Sequence, residues 1–242
     1  IDASAFPSAV MNYAAGQVAI RFGLKGVNAT LSGGRLASLQ ALQYADRCLK
    51  SGRARQIFAG GAEEWSEYLE WGFGQAGRDA ARIGEGSAVM LLETLASAQE
   101  HRRKPLARWL GCSTRLLPFG YAESLAQEFT DSLASCIRTV LDQGQTRLSA
   151  TDVLALYSSG NDDEWRPVEE GALREVFGTL PGHLSIREHL GDCYSAAGAF
   201  QLAAFLALAE TAGKDAPRYG LLLSTDQSGM VGCALVERTM GF

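Results

Sequence analysis

The chain has 242 residues, 47% hydrophobic and 20% charged, with a net charge of −5. This is an ordinary globular mix, long enough for one large or two small domains. The sequence has no basic cluster, which argues against nucleic acid as a partner, and no apolar run near the roughly 20 residues that span a bilayer, which argues against a membrane protein.

Ile1 to Val10 has neither a basic start nor a long apolar stretch, so no signal peptide is read there. The five cysteines (Cys48, Cys112, Cys136, Cys193 and Cys233) are odd in number and widely spaced. They suggest thiols in a reducing, cytoplasmic setting rather than a disulfide framework or a zinc site. With only three histidines, no metal and no cofactor is expected.

In chain order, Tyr13 to Phe22 is predicted as a helix with small residues on one side, followed by a turn at Gly23–Gly26. Leu39, Leu42, Cys48 and Leu49 mark the buried face of a helix from about Arg35 to Lys50, ended by Gly52. Gln56 to Ala59 is expected as a short buried strand and Tyr68 to Arg82 as a surface loop. Gly84 to Glu93 gives a turn and a buried strand. A helix over Ala96–Arg103 and a strand near Leu106–Cys112 follow.

In the second half, Leu125, Phe129, Leu133, Ile137 and Val140 recur at helical spacing, predicting an amphipathic helix over Ser124–Gln143. A strand over Val153–Tyr157 and a helix over Val168–Phe177 come next. The helix opened by Ser195 runs through Leu208 and is apolar nearly all round, so it belongs in the core. Tyr219–Ser224 and Val231–Glu237 read as paired strands. The alternation implies α/β layers.

Two segments carry a family resemblance: Gly26-Val27-Asn28-Ala29-Thr30-Leu31-Ser32-Gly33-Gly34-Arg35, and Ile57-Phe58-Ala59-Gly60-Gly61-Ala62-Glu63. With a helix between them they resemble the nucleophile region of the β-ketoacyl synthases. Gly84-Glu85-Gly86, the turn Leu190 to Ser195 and the small residues Ala196-Ala197-Gly198 follow in the family's order. The resemblance implies a thiolase-like α/β fold in α-β-α-β-α layers. It would lack the first strands and helices of the N-terminal half, with 1–95 the remainder of that half and 96–242 the other half of one compact unit.

In that family a cysteine opens the helix and two histidines assist it. Matched residue by residue, the cysteine position is Arg35, the first histidine Ser158 and the second Asp192. The family's lysine falls at Arg187, and its Gly-Phe-Gly-Gly loop at about Asp226-Gln227-Ser228-Gly229. The chemistry makes these changes decisive. Condensation needs a thiolate to carry the acyl group and neutral imidazoles to assist decarboxylation. A guanidinium stays protonated and cannot attack a thioester. An ionised Asp192 would repel a developing enolate. No catalytic residue is therefore expected, and an Arg35–Asp192 or Arg35–backbone network should fill the site.

Chain-length factors, the non-catalytic ketosynthase β-subunits of type II polyketide systems, also lack the cysteine, and usually carry glutamine there. Leu39-Gln40-Ala41-Leu42 and Tyr194-Ser195 are similar to their patterns. That resemblance implies a heterodimer with a ketosynthase α-subunit, served by an acyl carrier protein. Phe6, Met11, Asn12 and Gln17 become the candidate tunnel and interface residues. The other readings are a divergent ketosynthase or thiolase relative with Cys193 as a displaced nucleophile, and a scaffold outside polyketide synthesis. His189 lies three positions before the second histidine turn and, like His101 and His183, is read as structural or surface.

Overall fold

The computed structural model describes residues 10–75, 83–117, 125–161, 164–211 and 216–239. Its first part holds α1 (Tyr13–Phe22), α2 (Ala37–Lys50), β1 (Gln56–Glu63), α3 (Glu67–Gln75), β2 (Gly86–Glu93) and α4 (Leu95–Glu100). The second part holds β3 (Ala107–Leu116), α5 (Leu125–Gln143), β4 (Val153–Tyr157), α6 (Arg166–Phe177), β5 (Gly182–Ser185), α7 (Arg187–Leu190), α8 (Ala197–Thr211), β6 (Tyr219–Thr225) and β7 (Met230–Arg238).

β1 and β2 form an antiparallel pair in which Gln56 faces Glu93 and Glu63 faces Gly86. The other five strands form one sheet in the order β3-β7-β6-β4-β5. In it β4 runs parallel to both β5 and β6, while β7 is antiparallel to its neighbours β3 and β6. α2 and α8 lie between the two sheets and touch each other. Leu39 and Leu42 of α2, Leu202 and Phe205 of α8, Leu156 and Leu222 of the larger sheet and Met90 and Leu92 of the smaller make that central core. It closes at small residues: a side chain on Gly198 would press on Ser38 and Leu39.

The outer face of the larger sheet is covered by α5 and α6, with Leu133, Ile137, Val168 and Leu173 packed on Ala155, Tyr157, Leu221 and Leu223. The layers are thus α-β-α-β. The fifth layer is not formed among the described residues: Phe58, Val89 and Leu91 on the smaller pair are exposed, and α1 buries no residue. The two parts repeat a plan. A 3₁₀ turn opens a buried helix, which leads to a strand and then to its antiparallel neighbour, as α2-β1-β2 and as α8-β6-β7.

Several expectations are corrected. Glu67–Gln75 is a helix, where a loop over Tyr68–Arg82 was expected; residues 76–82 lie outside the described residues. Ser66 explains the helix, because its hydroxyl accepts the Leu69 N–H and Glu67 and Glu70 lie in a first turn that favours anions. Gly72, Gly74 and the aromatics hide that helix from propensity alone. β1 continues through Glu63 and β3 through Leu116, beyond the stretches read from composition, because their antiparallel partners hold the extra residues. β5 and α7, four residues each, are too short to leave a periodic pattern. The two buried helices start at Ala37 and Ala197, after their 3₁₀ turns, so Arg35 lies just ahead of α2.

Candidate functional site

The N-termini of α2 and α8 meet near the C-terminal ends of β4 and β6, and the 3₁₀ turns before the two helices touch. Four buried charged or polar residues converge there. Arg35 is in the turn before α2, and Asp192 lies just ahead of the turn that precedes α8. Ser158 follows β4, and Asp226 follows β6. Each helix brings the positive end of its dipole to this point, a setting that suits two carboxylates.

Arg35 and Asp192 are 3% and 2% exposed and form an ion pair, Nη2 to Oδ2, at 2.5 Å. Arg35 Nη1 donates to the carbonyl of Ser158 at 3.2 Å, and the Arg35 backbone N–H donates to Asp226 Oδ2 at 2.9 Å. A second guanidinium, Arg187 Nη2, stands 3.7 Å from the same Asp192 oxygen. Asp192 Oδ1 accepts the Tyr194 N–H at 3.1 Å. The structure thus joins the three residues singled out from the sequence, Arg35, Ser158 and Asp192, in one network.

The backbone is bent to make these contacts. Gly34 has φ +57°, and a side chain there would meet Asp226 Oδ2 at 2.5 Å, so only glycine fits. Asp226 also accepts the Ser228 N–H at 2.8 Å, which ties the turn before β7 to the start of α2. Tyr194 has φ +35°, an uncommon conformation for a residue with a side chain. It is held by Asp192 on one side and by an edge contact with Phe73 at 5.6 Å on the other.

Sequence reasoning missed Glu169. This carboxylate of α6 is fully buried and accepts from both serines that follow β4. Ser158 donates its N–H at 3.1 Å and its hydroxyl at 2.7 Å, Ser159 its N–H at 3.3 Å, and the Ser159 hydroxyl closes the set. Burial pushes the Glu169 carboxyl up from its ordinary value, and the four donors oppose that rise. The Ser158 hydroxyl also accepts the Thr225 N–H at 3.2 Å, so its proton is committed to Glu169. The signal was available: Glu169, Ala172, Leu173 and Val176 share helical spacing, which puts a carboxylate on a buried stripe.

The remaining candidates fall elsewhere. Cys193 adjoins the network but is 3% exposed, and burial, with Asp192 and Glu63 nearby, pushes its thiol up to about 11. Such a thiol is a poor nucleophile at neutral pH. The five cysteines are free and buried. Met11, Asn12 and Gln17 are exposed on or beside α1, away from the network, and Phe6 lies outside the described residues. Among the described residues no group of acidic, histidine or cysteine side chains could hold a metal ion, and no helix is long and apolar enough to cross a membrane.

The chain has relatives in sequence and in fold. Residues 1–82 match the family described as Beta-ketoacyl synthase, N-terminal domain. A 3-oxoacyl-[acyl-carrier-protein] synthase 2 of Vibrio harveyi is 32% identical over 125 residues, 43% of this chain and 30% of the relative. Polyketide synthase GfsB of Streptomyces halstedii is 29% identical over 204 residues, 76% of this chain and 4% of the relative. Among solved structures, the ishigamide ketosynthase/chain length factor superposes with a TM-score of 0.81 at 31% identity, over 98% of this chain and 64% of that one. A type II ketosynthase complex with its acyl-carrier protein and a hexaketide, AntDE:AntF, gives a TM-score of 0.85 at 20% identity, a likeness of fold alone. The chain therefore has the thiolase-like ketosynthase fold and spans only part of the length of the curated relatives it matches.

Proposed function

We propose that this chain is a non-catalytic, chain-length-factor-type subunit of a type II polyketide system. In this reading it pairs with a catalytic ketosynthase α-subunit in the cytoplasm, shapes the tunnel that the polyketide enters, and works with an acyl carrier protein. Arg35, Ser158 and Asp192 occupy the positions of the lost cysteine and two histidines. Residues 1–95 and 96–242 are the two halves of one unit.

The observation that carries this reading is the buried Arg35–Asp192 pair. A guanidinium at the head of α2 can neither take up an acyl group nor give up a proton, and its partner neutralises the charge that would otherwise attract a substrate anion. The Ser158 hydroxyl is turned to use within the protein, not to a substrate. Support for a partner comes from α1. No residue of α1 is buried, and Met11, Ile20 and Phe22 are 74%, 76% and 72% exposed, more apolar surface than a lone helix usually leaves to water. Phe6, Met11, Asn12 and Gln17 are accordingly the tunnel and interface residues of the proposal.

The test is reconstitution. Purified alone, the protein should extend no malonyl units. Mixed with a catalytic ketosynthase and its carrier protein, it should form a complex at equal amounts, and Phe6→Ala or Met11→Ala should alter the product range or the yield of complex. Robust malonyl extension by the chain alone would refute the non-catalytic reading. Failure to associate with any ketosynthase would refute the pairing.

A further inference from the structure

α3 carries a face that the network does not use. Trp65, Tyr68 and Trp71 recur every three residues and are 46%, 88% and 68% exposed. Together they leave on the order of 400 Å² of aromatic surface in water, as much as the largest apolar patch of a typical monomer. The helix is held from below by Phe73, which is buried and packs edge-on against Tyr194, with Leu69 half-buried beside it. The exposed ridge is therefore presented by an anchored helix.

Among the described residues the charge along this ridge has one sign; Arg78, Asp79 and Arg82 fall in 76–82, outside the described residues. Glu64, Glu67 and Glu70 are exposed beside it, and Glu85 reaches it by accepting the Trp65 N–H at 3.1 Å. Segments 63–75 and 83–86 contribute no lysine or arginine. The exposed cations Arg53, Arg55 and Arg103 stand at the other end of the β1–β2 pair, where Arg55 bonds Glu100 and Arg103 bonds Glu93. Eight strand residues separate the two ends, roughly 25 Å. That exceeds the Debye length of about 8 Å at physiological salt, so those cations do not neutralise the ridge.

We propose that the α3 face docks a protein segment of opposite chemistry: apolar side chains that cover Trp65, Tyr68 and Trp71, ringed by lysine or arginine that meets Glu64, Glu67 and Glu70. Tryptophan and tyrosine are the side chains on which binding energy concentrates, and the carboxylate rim selects a cationic partner and repels an anionic one. Nothing in this face depends on whether Arg35 stands in place of a nucleophile.

The experiment uses the full chain and two labelled amphipathic helical peptides of equal length, one of lysine and leucine and one of glutamate and leucine, read by fluorescence anisotropy. The lysine peptide should bind and the glutamate peptide should not. Tyr68→Ser/Trp71→Ser should weaken binding at least about tenfold, and Glu64→Lys/Glu67→Lys/Glu70→Lys should switch the preference to the glutamate peptide. Both variants keep Phe73 and change exposed side chains only, so an unchanged urea midpoint separates lost docking from lost folding. Equal binding of the two peptides, or binding indifferent to both variants, overturns the proposal. So does self-association of the wild type that the serine variant abolishes, which would make a second copy the occupant. Shielding of Trp65 and Trp71 from acrylamide quenching in the full chain, before any peptide is added, would also overturn it, because the protein's own chain would then cover the ridge.

Discussion

Arg35→Met is the sharpest perturbation of the buried network. Methionine fills most of the arginine volume with an unbranched apolar chain, so the change removes charge and hydrogen bonds and leaves little cavity. Asp192 then keeps the Tyr194 N–H and the Arg187 guanidinium at 3.7 Å, while the 2.5 Å contact is gone. Two unit charges about 4 Å apart attract by about 4 kcal/mol at an effective dielectric of 20. Breaking a buried pair by removing one partner costs about 3–5 kcal/mol. Arg187 offsets part of this, so the expected loss is about 3 kcal/mol, or a fall in melting temperature of roughly 6–12 °C for a chain of this size. Urea unfolding of the wild type, Arg35→Met, Asp192→Leu and the double variant closes a double-mutant cycle. The double variant should be more stable than either single variant, because no uncompensated charge is left buried. A cost below about 1 kcal/mol for Arg35→Met, with additive single variants, would mean that water already solvates the pair and would refute the reasoning.

Gly34→Ala should destabilise by about 1–3 kcal/mol, since the new methyl meets Asp226 in a left-handed turn; calorimetry of the variant measures it. Glu169 has a carboxyl raised on folding, so its contribution favours the folded state below the ordinary value of 4.5 and declines as the pH rises above it. Urea midpoints from pH 4 to 8 should therefore fall more steeply for the wild type than for Glu169→Gln. Glu93 behaves in the opposite sense. Arg103, with help from Ser97, holds its carboxyl down at about 2, so the stability it lends is present above 4.5 and is lost as the pH falls toward 2. Arg103→Ala should flatten that acid limb in the same titration. Cys193 should react with iodoacetamide far more slowly at pH 7.5 than a free thiol, and mass spectrometry showing rapid stoichiometric labelling would contradict its burial and raised pKa.

The sequence made the scaffold legible where periodicity was long. Leu133, Ile137 and Val140 announced α5, and the all-apolar run from Ala197 announced a helix buried in the core, where α8 is found between the two sheets. It also paired Arg35 with Asp192 or with backbone, because a guanidinium at that position calls for hydrogen-bond acceptors. What stayed hidden depends on tertiary partners. The acceptor role of Glu169 exists only because two serines follow β4 and turn over the first turn of α6. The latch of Asp226 onto the Arg35 N–H joins residues 191 positions apart. α3 was concealed by two glycines and revealed by a serine cap that a propensity reading passes over.

The site is best understood as two opposite charges that require each other. A buried arginine without Asp192 loses its ion partner, and a buried Asp192 without Arg35 is left with the Tyr194 N–H and the more distant Arg187, so removing either one is costly. The surrounding polar groups bond the pair or one another. The Ser158 carbonyl faces Arg35, its hydroxyl serves Glu169, and Asp226 holds the turn that presents Arg35. Replacing Arg35 by cysteine alone would therefore yield no useful nucleophile. The thiol would lie next to Asp192 in a buried pocket, where both desolvation and like charge disfavour the thiolate. Through Asp192, Ser158 and Asp226, Arg35 holds two helix starts and two strand ends together.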